Sequence, residues 1–281
     1  MKEHKKKAFS NKSRNHAPKS AKKSLEAKTS GSFVVEGLSA VLEYLKYKRE
    51  SIDFIVYKGS RPPSELKEFD SFLGKEKLIP ASQYDLDQNE GSEFVSHSPL
   101  WASVRIKTKE EEELYRDLAH IKGASVLCLD HITDPRNLGA ILRTAAFYGI
   151  KHVVAPKNRQ VLLTGSSVAT AQGAFALVDL VVVTNLSRVI EELKKRSFWV
   201  LGTSLKGKPL EEIKVSLAEE NLVFVLGSEE KGLSHGIEKS CDWLVFLDGA
   251  EVALDSLNVS VAAGIFCDRI HQMRKNALKN T

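Results

Sequence analysis

Three stretches of this chain set polar side chains among glycines at spacings that could do chemistry. The first is residues 129–148, LDHITDPRNLGAILRTAAFY. A strand ends near Asp130, a Pro-bearing turn follows, and a helix begins around Asn137. Arg143 lies six residues on, a little under two turns, where a guanidinium fork could bind an anion beside the same cleft. The second is residues 226–233, LGSEEKGL, where an apolar strand runs into an acidic turn flanked by Gly227 and Gly232. That turn holds Glu229 at the carboxyl end of a strand, where ligands bind in open α/β sheets. The third is residues 255–265, DSLNVSVAAGI, with Ser256 and Asn258 opening an apolar helix of small residues. Each has a plainer reading. Asn137 could be a helix cap beside a surface Arg143, the acidic turn could be merely solvated, and Ser256 could be a cap. Asn258, set among apolar neighbours, needs a partner if buried.

Other chemistries find less support. No G-x-G-x-x-G follows the first strand of the second half, which disfavours a standard dinucleotide fold. Residues 202–209, GTSLKGKP, come near a phosphate-binding loop, but Pro209 stands where that loop needs a magnesium-binding hydroxyl. His131, His152 and His235 are isolated in sequence, and no metal-ligand spacing occurs, so no metal is expected. There is no G-x-S-x-G nucleophile elbow.

The elements that must position these groups follow from patterning. Strand-like runs at 125–129, 152–155, 180–184, 198–202, 222–226 and 243–247 are nearly continuous in apolar residues. Helical patterns lie between them at 138–148, 186–195 and 257–273. This predicts a mostly parallel sheet covered on both faces. Upstream, helical spacing at 38–47, a strand at 53–57, a helical stretch at 64–73 and strands at 77–80 and 101–106 make a small α/β module. A charged helical connector at 108–120 joins the two.

Charge is uneven over the 281 residues. Residues 1–30 hold ten Lys or Arg against two Glu, whereas the rest carries 31 basic and 34 acidic side chains. A tail of that kind cannot bury enough apolar surface to order itself, and would either attract a polyanion such as RNA or simply solubilise the chain. No apolar run nears the ~20 residues that span a membrane. Three scattered cysteines, Cys128, Cys241 and Cys267, fit a reducing, cytoplasmic compartment.

Taken together and in this order, NLGAILRTA (137–145), LGSEEKGL (226–233) and SLNVSVAAGI (256–265) resemble the three motifs of the SpoU (TrmH-type) branch of the SPOUT methyltransferases. The resemblance covers roughly residues 126–270, and residues 31–106 resemble, more weakly, an L30e-like RNA-binding domain. The implied architecture is α/β, a mostly parallel sheet with a C-terminal trefoil knot, preceded by the small L30e-like domain. Its parts would be a disordered basic tail at 1–30, the L30e-like domain at 31–106, a linker helix at 107–122 and the methyltransferase domain at 123–281. The implied cofactor is S-adenosylmethionine, the assembly a homodimer, and the reaction 2′-O-methylation of ribose in structured RNA, with ribosomal RNA preferred to tRNA. The catalytic set would be Asn137, Arg143, Glu229, Ser256 and Asn258. The donor pocket would use Thr203, Gly227, Ser228, Leu247, Ser256 and Leu257.

Three places depart from the family pattern, one of them residues 96–101 of the front module. The approach to the third motif, FLDGAEVAL at 246–254, lacks the usual Pro and Met and has one extra residue, which bears on Leu247. Gln172 stands where a small residue is common. Other readings are a tRNA-directed enzyme and a catalytically silent RNA-binding or assembly factor of the same fold. A nucleotide hydrolase built on 202–208 is a further one.

Overall fold

The computed structural model describes residues 30–84, 98–158, 163–213, 220–249 and 257–279. The basic tail and Ser256 lie outside the described residues.

The first unit is a four-stranded sheet. Its elements are β1 (Ser30–Glu36), α1 (Leu38–Tyr47), β2 (Ile52–Tyr57), α2 (Asp70–Lys77), β3 (Leu78–Pro80) and β4 (Leu100–Lys107), with strand order β1-β4-β2-β3. β4 pairs antiparallel with both β1 and β2, and β2 pairs parallel with β3. α1 forms because Val41, Tyr44 and Leu45 recur at helical spacing, and all three are buried. The helical stretch expected at 64–73 is instead a 3-10 turn, Ser64–Phe69, followed by α2, which Gly74 interrupts at φ 55°.

α3 (Glu111–Leu118) then leads to the second unit: β5 (Ser125–Leu129), α4 (Pro135–Phe147), β6 (His152–Pro156), α5 (Gly165–Ala171), β7 (Asp179–Val183), α6 (Leu186–Lys195), β8 (Phe198–Pro209), β9 (Asn221–Leu226), α7 (His235–Ser240), β10 (Trp243–Phe246) and α8 (Val259–Lys279). Its six strands run in the order β10-β8-β9-β5-β6-β7 and all adjacent pairs are parallel, as the patterning predicts. Successive side chains of a strand feed opposite layers. Leu127 and Leu129 join a core with α4, α5 and α8, whereas Val126 and Cys128 join one with α3, α6 and α7. α5 and α7 have no counterpart in the sequence reading, since GSSVATA and HGIEKS carry too few apolar residues to show a stripe. β8 runs on to Pro209, so the near-match to a phosphate loop is extended strand.

The two units share one core, which joins Val41 and Tyr44 to Phe175 and Leu180. Their junction is polar at its rim. Asp179, 8% exposed, takes Lys48 Nζ on one oxygen and Lys109 Nζ on the other, each at 3.0 Å. Lys48 also donates to the Phe175 carbonyl, and Lys109 to Asp117. His152, isolated in sequence, is brought beside these groups, with its ligating atom within 4.8 Å of those of Asp117 and Asp179. The ammonium groups of Lys48 and Lys109 pair with these carboxylates. Among the described residues no helix is long and apolar enough to cross a membrane.

Burial alone would raise the Asp179 pKa, but the two lysines outweigh it and hold the carboxyl below its ordinary value. A carboxylate depressed in the folded state stabilises the fold above its unfolded pKa, and that contribution is lost as pH falls through the folded value. Asp179→Asn should therefore cost roughly 1–3 kcal/mol at neutral pH. It should also flatten the loss of stability below about pH 4. Denaturant titrations over a pH series check both.

Candidate active site

The carboxyl ends of β5 and β9 lie side by side, with Leu129 opposite Leu226 and the Asp130 N–H donating to the Leu226 carbonyl at 2.8 Å. Each strand runs straight into one of the polar stretches. On the first loop, Asp134 caps α4 by accepting the Arg136 N–H at 2.8 Å, and Pro135 takes the first helical turn, where its missing N–H costs nothing. Leu138, Ile141, Leu142 and Ala145 bury one face of α4, so Asn137 stands at the loop end of the helix.

The second loop is a tight turn closed by two backbone bonds, Ser228 N–H to Gly232 carbonyl and the reverse, at 3.1 and 2.9 Å. Ser228 Oγ also accepts the Lys231 N–H. Gly232 closes the turn at φ 64°, a left-handed conformation suited to glycine. Gly227 is required by space: a Cβ there would lie 2.3 Å from the Gly232 carbonyl carbon and 2.5 Å from the Leu233 nitrogen. Thr203, at the same edge of β8, accepts the Gly227 N–H and donates to the Val225 carbonyl, both at 3.3 Å.

These loops meet the start of α8. Glu229 Oε1 accepts three donors: Asn137 Nδ2 at 3.1 Å, Asn258 Nδ2 at 2.8 Å and the Val259 N–H at 3.2 Å. Asn258 Nδ2 also donates to Asn137 Oδ1 at 3.1 Å, which closes a triangle of two amides and a carboxylate. Asn258 Oδ1 accepts the Ser260 N–H at 2.9 Å and its hydroxyl at 2.6 Å. The start of α8 is thus capped by Asn258, assisted by Glu229, and Ser256, the cap in the plainer reading of the sequence, lies outside the described residues. Glu229 Oε2 has no partner among the described residues, so the cluster keeps a carboxylate oxygen and amide hydrogens to offer a ligand.

The other expected residues are distributed around this triangle. Gly227 and Ser228 follow the end of β9, and Thr203 lies midway along β8 beside them. Leu247 is half-buried against the core and Leu257 is 51% exposed, one on each side of residues 250–256. Arg143 is not part of the hydrogen-bonded set: it is exposed and makes no hydrogen bond or ion pair among the described residues. Six residues of helix turn it roughly a third of a circle away from Asn137.

Asp130 escaped the sequence reading. It is 2% exposed and ties the first loop to the second, with Oδ2 accepting the Ser234 N–H at 2.6 Å and Oδ1 bonded to His131 Nδ1 at 2.6 Å. Its signal is a carboxylate placed directly after an unbroken apolar strand, where a buried charge requires partners. The packing around Gly227 also sets an expectation. Gly227→Ala should destabilise the fold by roughly 1–3 kcal/mol, because the turn must open to admit the methyl. Chemical denaturation of the variant checks it.

A match to the SpoU rRNA Methylase family covers residues 124–268, the whole six-stranded unit as far as α8. A protein of Pseudomonas putida named 23S rRNA (guanosine-2′-O-)-methyltransferase RlmB is 43% identical over 171 residues, 61% of this chain and 65% of that protein. One of the same name from Ralstonia nicotianae is 32% identical over 232 residues, 82% of this chain and 91% of that one. Several relatives are matched over only 55–65% of their length. Among solved structures, the SpoU methyltransferase AviRb of Streptomyces viridochromogenes, in complex with AdoMet, aligns with a TM-score of 0.70 at 18% identity, covering 88% of this chain and 92% of that one. At that identity the likeness speaks for the fold, α/β with a mostly parallel sheet. With a family match over more than half its length and a relative aligned over most of both chains, this chain belongs to the SpoU rRNA methylase family.

Proposed function

We propose that this chain transfers a methyl group from S-adenosylmethionine to a ribose 2′-hydroxyl of structured RNA, with ribosomal RNA as the substrate. The observation that carries the reading is the closed triangle of Asn137, Glu229 and Asn258. Residues 92 and 29 positions apart, one from each motif, meet at the carboxyl edge of a parallel sheet. The relatives' names, which specify 23S rRNA and guanosine 2′-O-methylation, support the substrate class.

The residues present suit the cofactor. Leu247 and Leu257 offer apolar surface for an adenosine, and Thr203 on β8 with Gly227 and Ser228 after β9 offer backbone groups. Ser256 completes this set in the proposal. When bound, S-adenosylmethionine supplies a methyl that is already electrophilic, so neither metal nor acid is needed to activate it. What remains for the protein is to align a weakly acidic hydroxyl and assist loss of its proton, and positioning supplies much of that. Asn137 and Glu229 shape the acceptor side, since Glu229 Oε2 and a second Asn137 N–H are available to meet the hydroxyl. Ser256 and Asn258 would order the knot loop and hydrogen-bond the reacting nucleotide. Arg143, exposed and without an ion pair among the described residues, is left to take a substrate phosphate and polarise the hydroxyl.

The trefoil knot would form where residues 247–258 join β10 to α8. Residues 31–106 would act as an L30e-like module that holds the RNA, with 107–122 as linker and 123–281 as methyltransferase domain. A homodimer is supported by exposed apolar side chains, namely Leu257 and Val261 at the start of α8 and Phe147 at the far end of α4, exposed by 51%, 51% and 81%. A cytoplasmic location follows from an RNA substrate and agrees with three free cysteines.

Arg143→Ala should reduce methyl transfer by roughly 100-fold or more. Its affinity for S-adenosylmethionine, measured by calorimetry, should stay within about twofold of wild type. Loss of cofactor binding instead would make Arg143 structural. Mass spectrometry of ribose-methylated nucleosides from cells lacking the gene should show one ribosomal RNA methyl missing. A missing tRNA methyl would move the substrate, and no change in either would favour the silent RNA-binding factor.

A further inference from the structure

Methyl transfer needs a group to take the proton that the ribose hydroxyl loses. An arginine stays protonated at any working pH, which leaves Arg143 no lone pair to offer. Glu229 Oε1 is occupied by three donors. A carboxylate is also ordinarily a weaker base than an imidazole, by about two pKa units.

An imidazole stands at the same edge of the sheet. His131 is the second residue beyond β5, on the loop that leads to Asn137. Leu129 pairs with Leu226, and the Asp130 N–H donates to the Leu226 carbonyl. That register, carried on by two residues, sets the His131 backbone level with Ser228, the residue before Glu229. Neighbouring strands lie about 5 Å apart. The ring therefore springs from a position beside the proposed donor pocket.

A buried group orients this ring. Asp130, 2% exposed, accepts the Ser234 N–H on Oδ2 at 2.6 Å and bonds His131 Nδ1 through Oδ1 at 2.6 Å. An ionised carboxylate only accepts, so Nδ1 carries the hydrogen and Nε2 of the neutral ring keeps its lone pair. Nε2 has no partner among the described residues. The side chain is 35% exposed, which opens it both to a substrate and to solvent. The backbone at His131 is left-handed, at φ 63°, a conformation that glycine takes freely and histidine under strain. Besides Asp130, the charged or titratable groups on the flanking segments are Glu229, Glu230 and Lys231 of the turn, His235 at the start of α7, and Asp134 with Arg136, which pair at 2.9 Å.

We propose that His131 Nε2 is the proton acceptor of the methyl transfer and that Asp130 is its positioning residue. The inference rests on the methyl-transfer reading. As the ribose 2′-oxygen forms its bond to the methyl carbon, the methyl–sulfur bond breaks and its electron pair stays on sulfur. The hydroxyl proton passes to Nε2. The imidazolium, its charge met by Asp130, then returns the proton to water at its exposed side. A buried carboxylate that fixes the tautomer of a histidine base is a general device of acid–base catalysis.

The test compares the full wild-type chain with His131→Gly, which suits φ 63° and removes the imidazole. The variant should fold and should bind S-adenosylmethionine within about twofold of wild type by calorimetry. Its RNA methyl transfer at pH 7 should fall roughly 100-fold or more, and added imidazole should restore part of the rate. The wild-type rate should fall on acidification between about pH 8 and 5, where imidazole ordinarily titrates, and that limb should be absent in the variant. Nitrogen NMR of the free chain labelled at histidine should show His131 as the Nδ1–H tautomer. Asp130→Asn should convert it to Nε2–H, because the amide turns a donor toward Nδ1. If His131→Gly does not fold, His131→Asn, which also tolerates the left-handed region, gives the same readouts. A wild type that methylates no RNA sinks the methyl-transfer reading and this proposal with it. An active wild type overturns the proposal alone if the folded variant keeps its rate and its acid limb, if the variant loses donor binding, or if His131 of the free chain is Nε2–H.

Discussion

One carboxylate oxygen organises the reactive end of this molecule. Glu229 Oε1 gathers an amide from the first turn of α4, an amide from the segment before α8 and the first backbone N–H of α8 itself. A helix leaves its first N–H groups without internal partners, and its N-terminus favours negative charge. Glu229 answers both needs, and so fixes where α8 begins relative to the sheet. The far half of the same helix is anchored separately. The half-buried Arg274 donates to the carbonyls of Gly123, Ala124 and Glu220, just before β5 and β9 begin. α8 is thus held at both edges of the sheet it covers.

The sheet makes that arrangement possible. Parallel strands buried on both faces bring the loops after β5, β8 and β9 to one edge, so motifs far apart in sequence become neighbours. The turn carrying Glu229 is rigid for local reasons: two backbone bonds close it, Gly227 lets its backbone pack against Leu233, and Asp130 grips the Ser234 N–H beyond it. A carboxylate held this way loses little freedom when a ligand arrives, which is what a positioning mechanism needs. The opposite edge has a different task. There the Lys48–Asp179–Lys109 cluster ties α1 to the start of β7, away from the chemistry.

Much of this was legible in the sequence. All six parallel strands show as β-branched apolar runs, and the stripe Leu138, Ile141, Leu142, Ala145 announces α4. Asn137, Glu229 and Asn258 stand out as polar residues at element boundaries, but their mutual bonds do not, since sequence spacing carries no information about which loops a sheet brings together. The same gap explains His152, isolated in the chain and yet beside Asp117 and Asp179 in the fold. Asp130 was passed over because a single carboxylate after a strand has no periodicity to reveal it. Asn258 caps α8 together with an acceptor from another loop, Glu229, and propensity alone cannot anticipate that sharing. Arg143 shows the reverse: helical spacing places it correctly on α4, but a helix turns it away from the triangle, so its role depends on a substrate or a second chain.

The central claim is that Glu229 holds three separate segments in one geometry. Amide hydrogen exchange at Val259 and Ser260, compared between wild type and Glu229→Ala, tests it most directly. With the shared acceptor gone, the first turn of α8 should exchange at least about tenfold faster. The loop before Asn137 should loosen with it, while the interiors of β5 and β9 stay protected. Unchanged protection at Val259 and Ser260 would show that α8 is held without Glu229, and would contradict the account.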